Sequence, residues 1–184
     1  MPLILDGTTG IVANNIADYA VSTAKLANSA VTTAKMGFAG AVLQVIQTTT
    51  ATSVSTASTS VWSNTTLSAS ITPSSSSSKV MVLIMQEVQV WNQANYATGM
   101  WQLLRGATVI YTPSSTDNGN IFAYDYGNSG INVYRPTPIM WLDSPNTTSS
   151  TTYYTQIKKG SNGGQVIGSN SNSPGSITLM EIAG

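Results

Sequence analysis

Three aspartates in the middle of this chain, Asp117, Asp125 and Asp143, are the carboxylates that could work as a catalytic pair. Two short stretches set aromatic rings beside amides: Trp91-Asn92-Gln93-Ala94-Asn95-Tyr96 and Tyr124-Asp125-Tyr126-Gly127-Asn128. Paired carboxylates are the machinery of glycoside hydrolysis. Rings beside amides and carboxylates are the chemistry of sugar binding, since a ring covers the apolar face of a sugar while amides bond its hydroxyls. The chain has no histidine and no cysteine. That excludes a Ser-His-Asp triad, a Cys-His pair, the common zinc sites and any disulfide framework. Asp117-Asn118-Gly119-Asn120 reads better as a turn, in which Asp and Asn bond their own backbone. Asp125 stands alone among aromatics and lacks the clustered oxygen ligands of a calcium loop.

No catalytic residue, metal or cofactor is therefore expected, and the protein is read as a non-enzyme. The candidate binding residues are Trp91, Asn95, Tyr96, Tyr124, Asp125 and Tyr126. A plainer reading stands beside this one. Trp91, Trp101, Phe122 and Trp141 are favoured as fillers of the core or of an interface between chains, as large aromatics generally are. For Tyr96, Tyr124 and Tyr126, which flank loop residues, both readings stay open. Arg105 and Arg135 are expected to pair with Glu87, Asp125 or Asp143, as structural ion pairs rather than ligand contacts.

Composition narrows the partners. Charged residues make up 8% of the 184-residue chain, and seven basic residues balance seven acidic ones. An average soluble protein has roughly 25% charged residues. Nucleic-acid binding needs a basic face to displace counterions, and docking to anionic membranes needs one too. Neither is expected. Residues 1 to 6 lack the basic region and long apolar core of a signal peptide. No apolar run approaches the ~20 residues of a membrane helix. Synthesis in a cytoplasm without membrane insertion is the expectation. Near-zero net charge is a solubility hazard for a free monomer, which favours a chain that lives in an assembly.

The elements that must position these residues fall into three sections: an apolar segment over 1–10, a repeat over 11–39 and a β domain over 40–184. In the repeat, Val21-Ser22-Thr23-Ala24-Lys25-Leu26 is followed by Val31-Thr32-Thr33-Ala34-Lys35-Met36, and a fainter copy precedes them. Ile11, Ile16, Val21, Leu26, Val31 and Met36 fall one every five positions. A helix wants apolar residues every three or four positions and a strand every second one. So few large apolar residues cannot be buried by one chain, whereas identical chains around a shared axis could bury them. Ser and Thr before Ala-Lys cap short helical turns, so a stalk with brief helical turns is expected. The alternative is a long Ala-rich helix, which the five-residue spacing and the β-branched residues disfavour.

The β domain shows strand signals at 41–47, 67–71, 79–91, 100–105, 108–111, 121–126, 131–135, 139–142, 151–158, 165–167 and 176–182, with Gly, Asn, Ser and Pro between them. The start of the 79–91 run is continuously apolar, which predicts burial on both faces there and on one face further along. Ser74 to Ser78 reads as a loop. Short antiparallel strands at this spacing predict a mainly β fold, a β-sandwich of jelly-roll-like kind.

Ala30-Val31-Thr32-Thr33-Ala34-Lys35-Met36, then Gly40-Ala41-Val42-Leu43-Gln44-Val45, resembles the stalk-to-domain passage of many bacteriophage tail fibres. Ser70-Ile71-Thr72-Pro73, the serine run and Lys79-Val80 are similar to the body of such domains, and Ser176 to Gly184 to their terminal strand. Residues 91–145 have no counterpart in that resemblance, which suits the variable part of a receptor-binding protein. The resemblance implies a homotrimer in the virion, at the tail or baseplate periphery. The N-terminal Leu3, Ile4 and Leu5 would attach to other virion proteins, and the stalk core would be Ile11, Ile16, Val21, Leu26, Val31 and Met36. The β domain would bind host surface polysaccharide or lipopolysaccharide. The alternative from the same chain is a capsid decoration or head-fibre protein that stabilises the shell or projects from it. A depolymerising enzyme ranks last.

Overall fold

Alternation of apolar with small or polar residues makes strands here, because Val, Ile, Thr and aromatic side chains fit a pleated, half-buried surface. The computed structural model describes residues 39–92, 96–112, 130–160, 164–169 and 172–184, and the backbone alone of 121–124. The expected anchor and stalk residues up to Met36 lie outside the described residues, as do Asn95, Asp117, Asp125 and Tyr126.

The described residues are mainly β, with eleven strands: β1 Val42–Thr50, β2 Val54–Thr56, β3 Ser63–Ile71, β4 Lys79–Asn92, β5 Tyr96–Arg105, β6 Thr108–Tyr111, β7 Ile121–Tyr124, β8 Ile131–Asp143, β9 Thr151–Lys159, β10 Gln165–Gly168 and β11 Gly175–Ile182. No helix occurs among the described residues. All pairings are antiparallel and form two sheets. In the first, β4 is central. It pairs with β8 along one side over its whole length, and with β11 and then β10 along the other; β1 lies beyond β11 and β2 beyond β10. In the second, the order is β3-β9-β5-β6, with β7 beside the first half of β5.

The inward positions of both sheets form one hydrophobic cluster. Val80, Val82, Ile84, Val88 and Val90 of β4 meet Leu67 and Ile71 of β3, Trp101 and Leu103 of β5, and Tyr153 and Ile157 of β9. The sheets approach closely at Gly99, where a Cβ would stand 2.8 Å from Val90 Cγ1 and 3.0 Å from Val166 Cγ2. A buried polar network crosses the same interior. Thr155 Oγ1 donates to Gln86 Oε1 (2.8 Å), Gln86 Nε2 to Ser169 Oγ (3.1 Å), and the Thr65 and Thr155 hydroxyls share a bond of 2.6 Å. Each polar atom in that chain has a partner, so its burial is not left uncompensated. Tyr111 stacks between Trp101 (5.9 Å) and Trp141 (5.3 Å) and so ties β5, β6 and β8 together.

Two expectations about strands are corrected. The segments 131–135 and 139–142 form one strand, β8, running through Pro136 and Pro138. Proline cannot donate to a ladder, but β8 is the edge of its sheet, and edge positions tolerate the missing N–H. The start of β4 is buried on one face only. Val80, Val82 and Ile84 are buried, while Met81 and Leu83 are half-buried and Met85 is exposed. Among the described residues, nothing covers that outer face.

Candidate functional site

β4 fixes the geometry. Its fourteen residues span roughly 40 Å at about 3.3 Å per residue. Gly40, where the preceding chain leads in, lies at the Lys79 end, since Gly40 N donates to Ala183 O (2.8 Å) and Ile182 pairs with Lys79. Trp91 lies at the opposite end, beside Gln165 and Asn132. The β4–β5, β7–β8 and β9–β10 connections all emerge at that far end.

Of the candidate binding residues, Trp91, Tyr96 and Tyr124 come to this end, in two different settings. Trp91 is on the outward face of the first sheet and 38% exposed. Tyr96 opens β5 in the second sheet, opposite Tyr124 of β7, and packs against the core cluster. Asn92 Nδ2 donates to Tyr96 O (2.6 Å), which joins the two settings through the backbone. Gly164 lies on the Trp91 ring: its N–H donates to Trp91 O (3.1 Å), and a Cβ there would stand 2.8 Å from that oxygen and 3.0 Å from the ring carbon Cε3. A glycine at 164 therefore sets how the indole lies.

The partners of Trp91 are residues that sequence reasoning missed. Antiparallel register places Asn132 and Gln165 on either side of Trp91, and Tyr134 beside Gln89. All share the outward face, since residues two apart on a strand point the same way. Tyr134 is 44% exposed. Gln89 Nε2 donates to Asn132 Oδ1, which holds one amide in place beside the ring. Two aromatic rings and three amides thus form a neutral, solvent-facing platform. The signal was present locally, as the alternation of Asn132 and Tyr134 and of Gln89 and Trp91. Their juxtaposition depends on a pairing between residues more than forty positions apart.

The opposite end holds two buried carboxylates, Asp143 and Glu181. Arg105 Nη1 donates to both oxygens of Asp143 (2.9 and 2.8 Å) and to Ser144 O (3.1 Å). Tyr153 OH donates to Asp143 Oδ2 (2.8 Å). Burial pushes the Tyr153 hydroxyl well above its usual range, and the bond to Asp143 adds to that, so it stays a neutral donor. Asp143 is thus engaged in the expected structural pair with Arg105. Glu181, 1% exposed, takes bonds from Ser74 N (2.7 Å), Ser74 Oγ (2.6 Å) and Gln44 Nε2 (2.6 Å). Burial alone would raise its pKa, but the bonds from Ser74 and Gln44 outweigh it and hold the carboxyl below its ordinary value. The serine loop is therefore tied down by the last strand.

No protein-family model matches the chain, and no curated protein is similar enough to count as a relative.

Proposed function

We propose that this chain is a bacteriophage attachment protein: a short homotrimeric tail fibre whose β head binds sugars on the host surface. The observation that carries the reading is the platform of Trp91, Tyr134, Gln89, Asn132 and Gln165, set at the end of β4 farthest from Gly40. Exposed rings take the apolar face of a pyranose, and the flanking amides take its hydroxyls. The platform residues themselves carry no charge, which suits uncharged sugars, with Glu87 at its inner border on the same face. Tyr96 and Tyr124, paired across β5 and β7, lie toward the same end.

The strand order supports the architectural part. β1-β11-β4-β8 in one sheet and β3-β9-β5-β6 in the other is the column order of a jelly-roll sandwich, an architecture used by viral capsid and lectin domains. A fold alone carries no function, so the weight rests on the platform. The repeat with apolar residues every five positions is read as the trimeric stalk. Three heads on one stalk turn weak individual sugar contacts into avidity through effective concentration. In this reading the protein does no chemistry, needs no cofactor, and has as partners its own copies, other virion proteins and host polysaccharide or lipopolysaccharide.

The test is binding of the purified protein to host cells and to a panel of bacterial surface polysaccharides. Trp91→Ala and Tyr134→Ala are expected to weaken binding by about tenfold or more, while Val109→Ala, exposed on the other sheet, leaves it unchanged. Binding indifferent to both platform variants would overturn the reading. Locating the protein on intact particles by microscopy tests the tail position, and a place on the shell would favour decoration.

A further inference from the structure

The outward face of the first sheet changes character along β4. Toward Trp91 it carries amides and rings. Toward Lys79 it is apolar along β4 and β8, where Met81, Leu83 and Met85 lie level with Leu142, Met140 and Pro138, and is flanked on β11 by Ser176 and Thr178. Met180 of β11 adjoins Met81, and Val45 of β1 adjoins Met180. Met85 is 50% exposed, Val45 56% and Met140 75%. A groove of about 530 Å³ between Leu83, Met85, Pro138 and Met140 makes the face concave. With strands ~4.8 Å apart and a rise of about 3.3 Å per residue, the apolar area is on the order of 400 Å². A patch of that size is comparable to the largest one on a typical monomer, roughly 300–600 Å², and such patches are often functional.

The sequence of β4 already asks for a cover. Val80-Met81-Val82-Leu83-Ile84-Met85 is the continuous apolar run of a strand buried on both faces, yet the chain covers only the inward one. We propose that the second cover is another copy of the same chain, and that this face is the surface through which the β domains associate. The inference rests on the oligomeric part of the proposed function and names its contact. Three observations select a copy over a foreign partner. The face carries no charge between Lys79 and Glu87 to match against an unlike surface. It lies at the end where residues 1–39 lead in through Gly40, and those residues hold the apolar repeat that one chain cannot bury. Copies joined there hold their faces at an effective concentration near millimolar. The area is about half of the ~800 Å² each partner gives to a standard interface. Association through the sheet edge is disfavoured, because Pro136 and Pro138 interrupt the donors along the free side of β8.

The absence of cysteine makes the test clean. Single Met140→Cys and Val109→Cys variants of the full chain are reacted with a maleimide under native conditions, and the wild-type mass is read by sedimentation. Within one chain Met140 is 75% exposed and Val109 45%, so an isolated chain labels faster at 140. The inference expects the reverse: a multimer in which Met140→Cys reacts about tenfold more slowly than Val109→Cys. Met85→Lys with Met140→Glu should shift dissociation to about tenfold higher protein concentration. A wild-type multimer that labels as fast at 140 as at 109 overturns this inference and leaves the oligomeric reading standing. A wild-type monomer overturns both.

Discussion

The two ends of the β4–β8 ladder share a backbone and differ in nearly everything attached to it. At the Lys79 end, side chains are clamped. Asp143 gathers Arg105 and Tyr153, Glu181 gathers Ser74 and Gln44, and the outer face is apolar. At the Trp91 end, the contacts among the described residues include an amide pair, a side chain-to-backbone bond and a glycine against an indole, and the outer face carries rings and amides. The difference teaches that stability and recognition can be separated along one strand. Buried ionic groups must be satisfied or they cost several kcal/mol, so they hold an end rigid. Exposed rings and amides cost little stability when changed, so that end is the freer of the two to vary.

The sharpest way to break this comparison is at Asp143. Asp143→Ala removes the acceptor of two groups at once, leaving the Tyr153 hydroxyl buried with no carboxylate and Arg105 with Ser144 O alone. A buried donor without its partner costs about 1–3 kcal/mol, and bonds to charged groups lie at the upper end. The expected loss is about 3 kcal/mol, read as a fall in the urea midpoint at fixed protein concentration. Tyr153→Phe, which deletes only the hydroxyl, should lose about 1 kcal/mol. If Asp143→Ala were neutral, the clamped end would not be carrying stability.

How far the sequence exposed this division depends on whether each feature is local. Alternation in Leu67-Ser68-Ala69-Ser70-Ile71 and the turn at Gly106 are local, and β3 and β6 stand where those signals put them. The mainly β class follows from the same signals. Proline misled, because a break and a tolerated edge position look alike until the neighbours of β8 are known. The apolar start of β4 reads as doubly buried, yet one face is left open, because an apolar run does not say whether an element of the same chain lies on each side. Of the site, Trp91 was legible as a ring beside amides. Asn132, Tyr134 and Gln165 were not, because only strand register brings them to it. Tyr96 carries the same local signal as Trp91 and yet packs against the core, since β4 and β5, though consecutive in the chain, belong to different sheets.

A smaller effect, with a pH signature, is expected at Glu181. Its carboxyl is held below the ordinary value of 4.5, so the folded state binds fewer protons than the unfolded state near that pH. Stability from this group is then fully present above the unfolded pKa and lost as pH falls through the folded one. Glu181→Gln should cost about 2 kcal/mol at neutral pH, and the gap to wild type should close on acidification below about 4.3. A gap that persists unchanged into strong acid would show that packing, and not the charge, ties the serine loop to β11.

The smallest change in stability is expected at Trp91, and there the comparison is most exposed to test. The indole is 38% exposed, and Gly164 lies against it. Replacing it with alanine uncovers no buried polar group, because the Asn92–Tyr96 and Gly164–Trp91 bonds run through backbone oxygens that alanine keeps. What is lost is part of one ring's burial, about 1 kcal/mol at the usual value per unit of apolar area. The variant should therefore unfold within about 1 kcal/mol of wild type, read by the same urea titration, while losing the proposed sugar binding. A Trp91→Ala variant as damaged as Asp143→Ala would mean that the indole anchors the far end of the sheet. The two ends would then be alike in holding the fold.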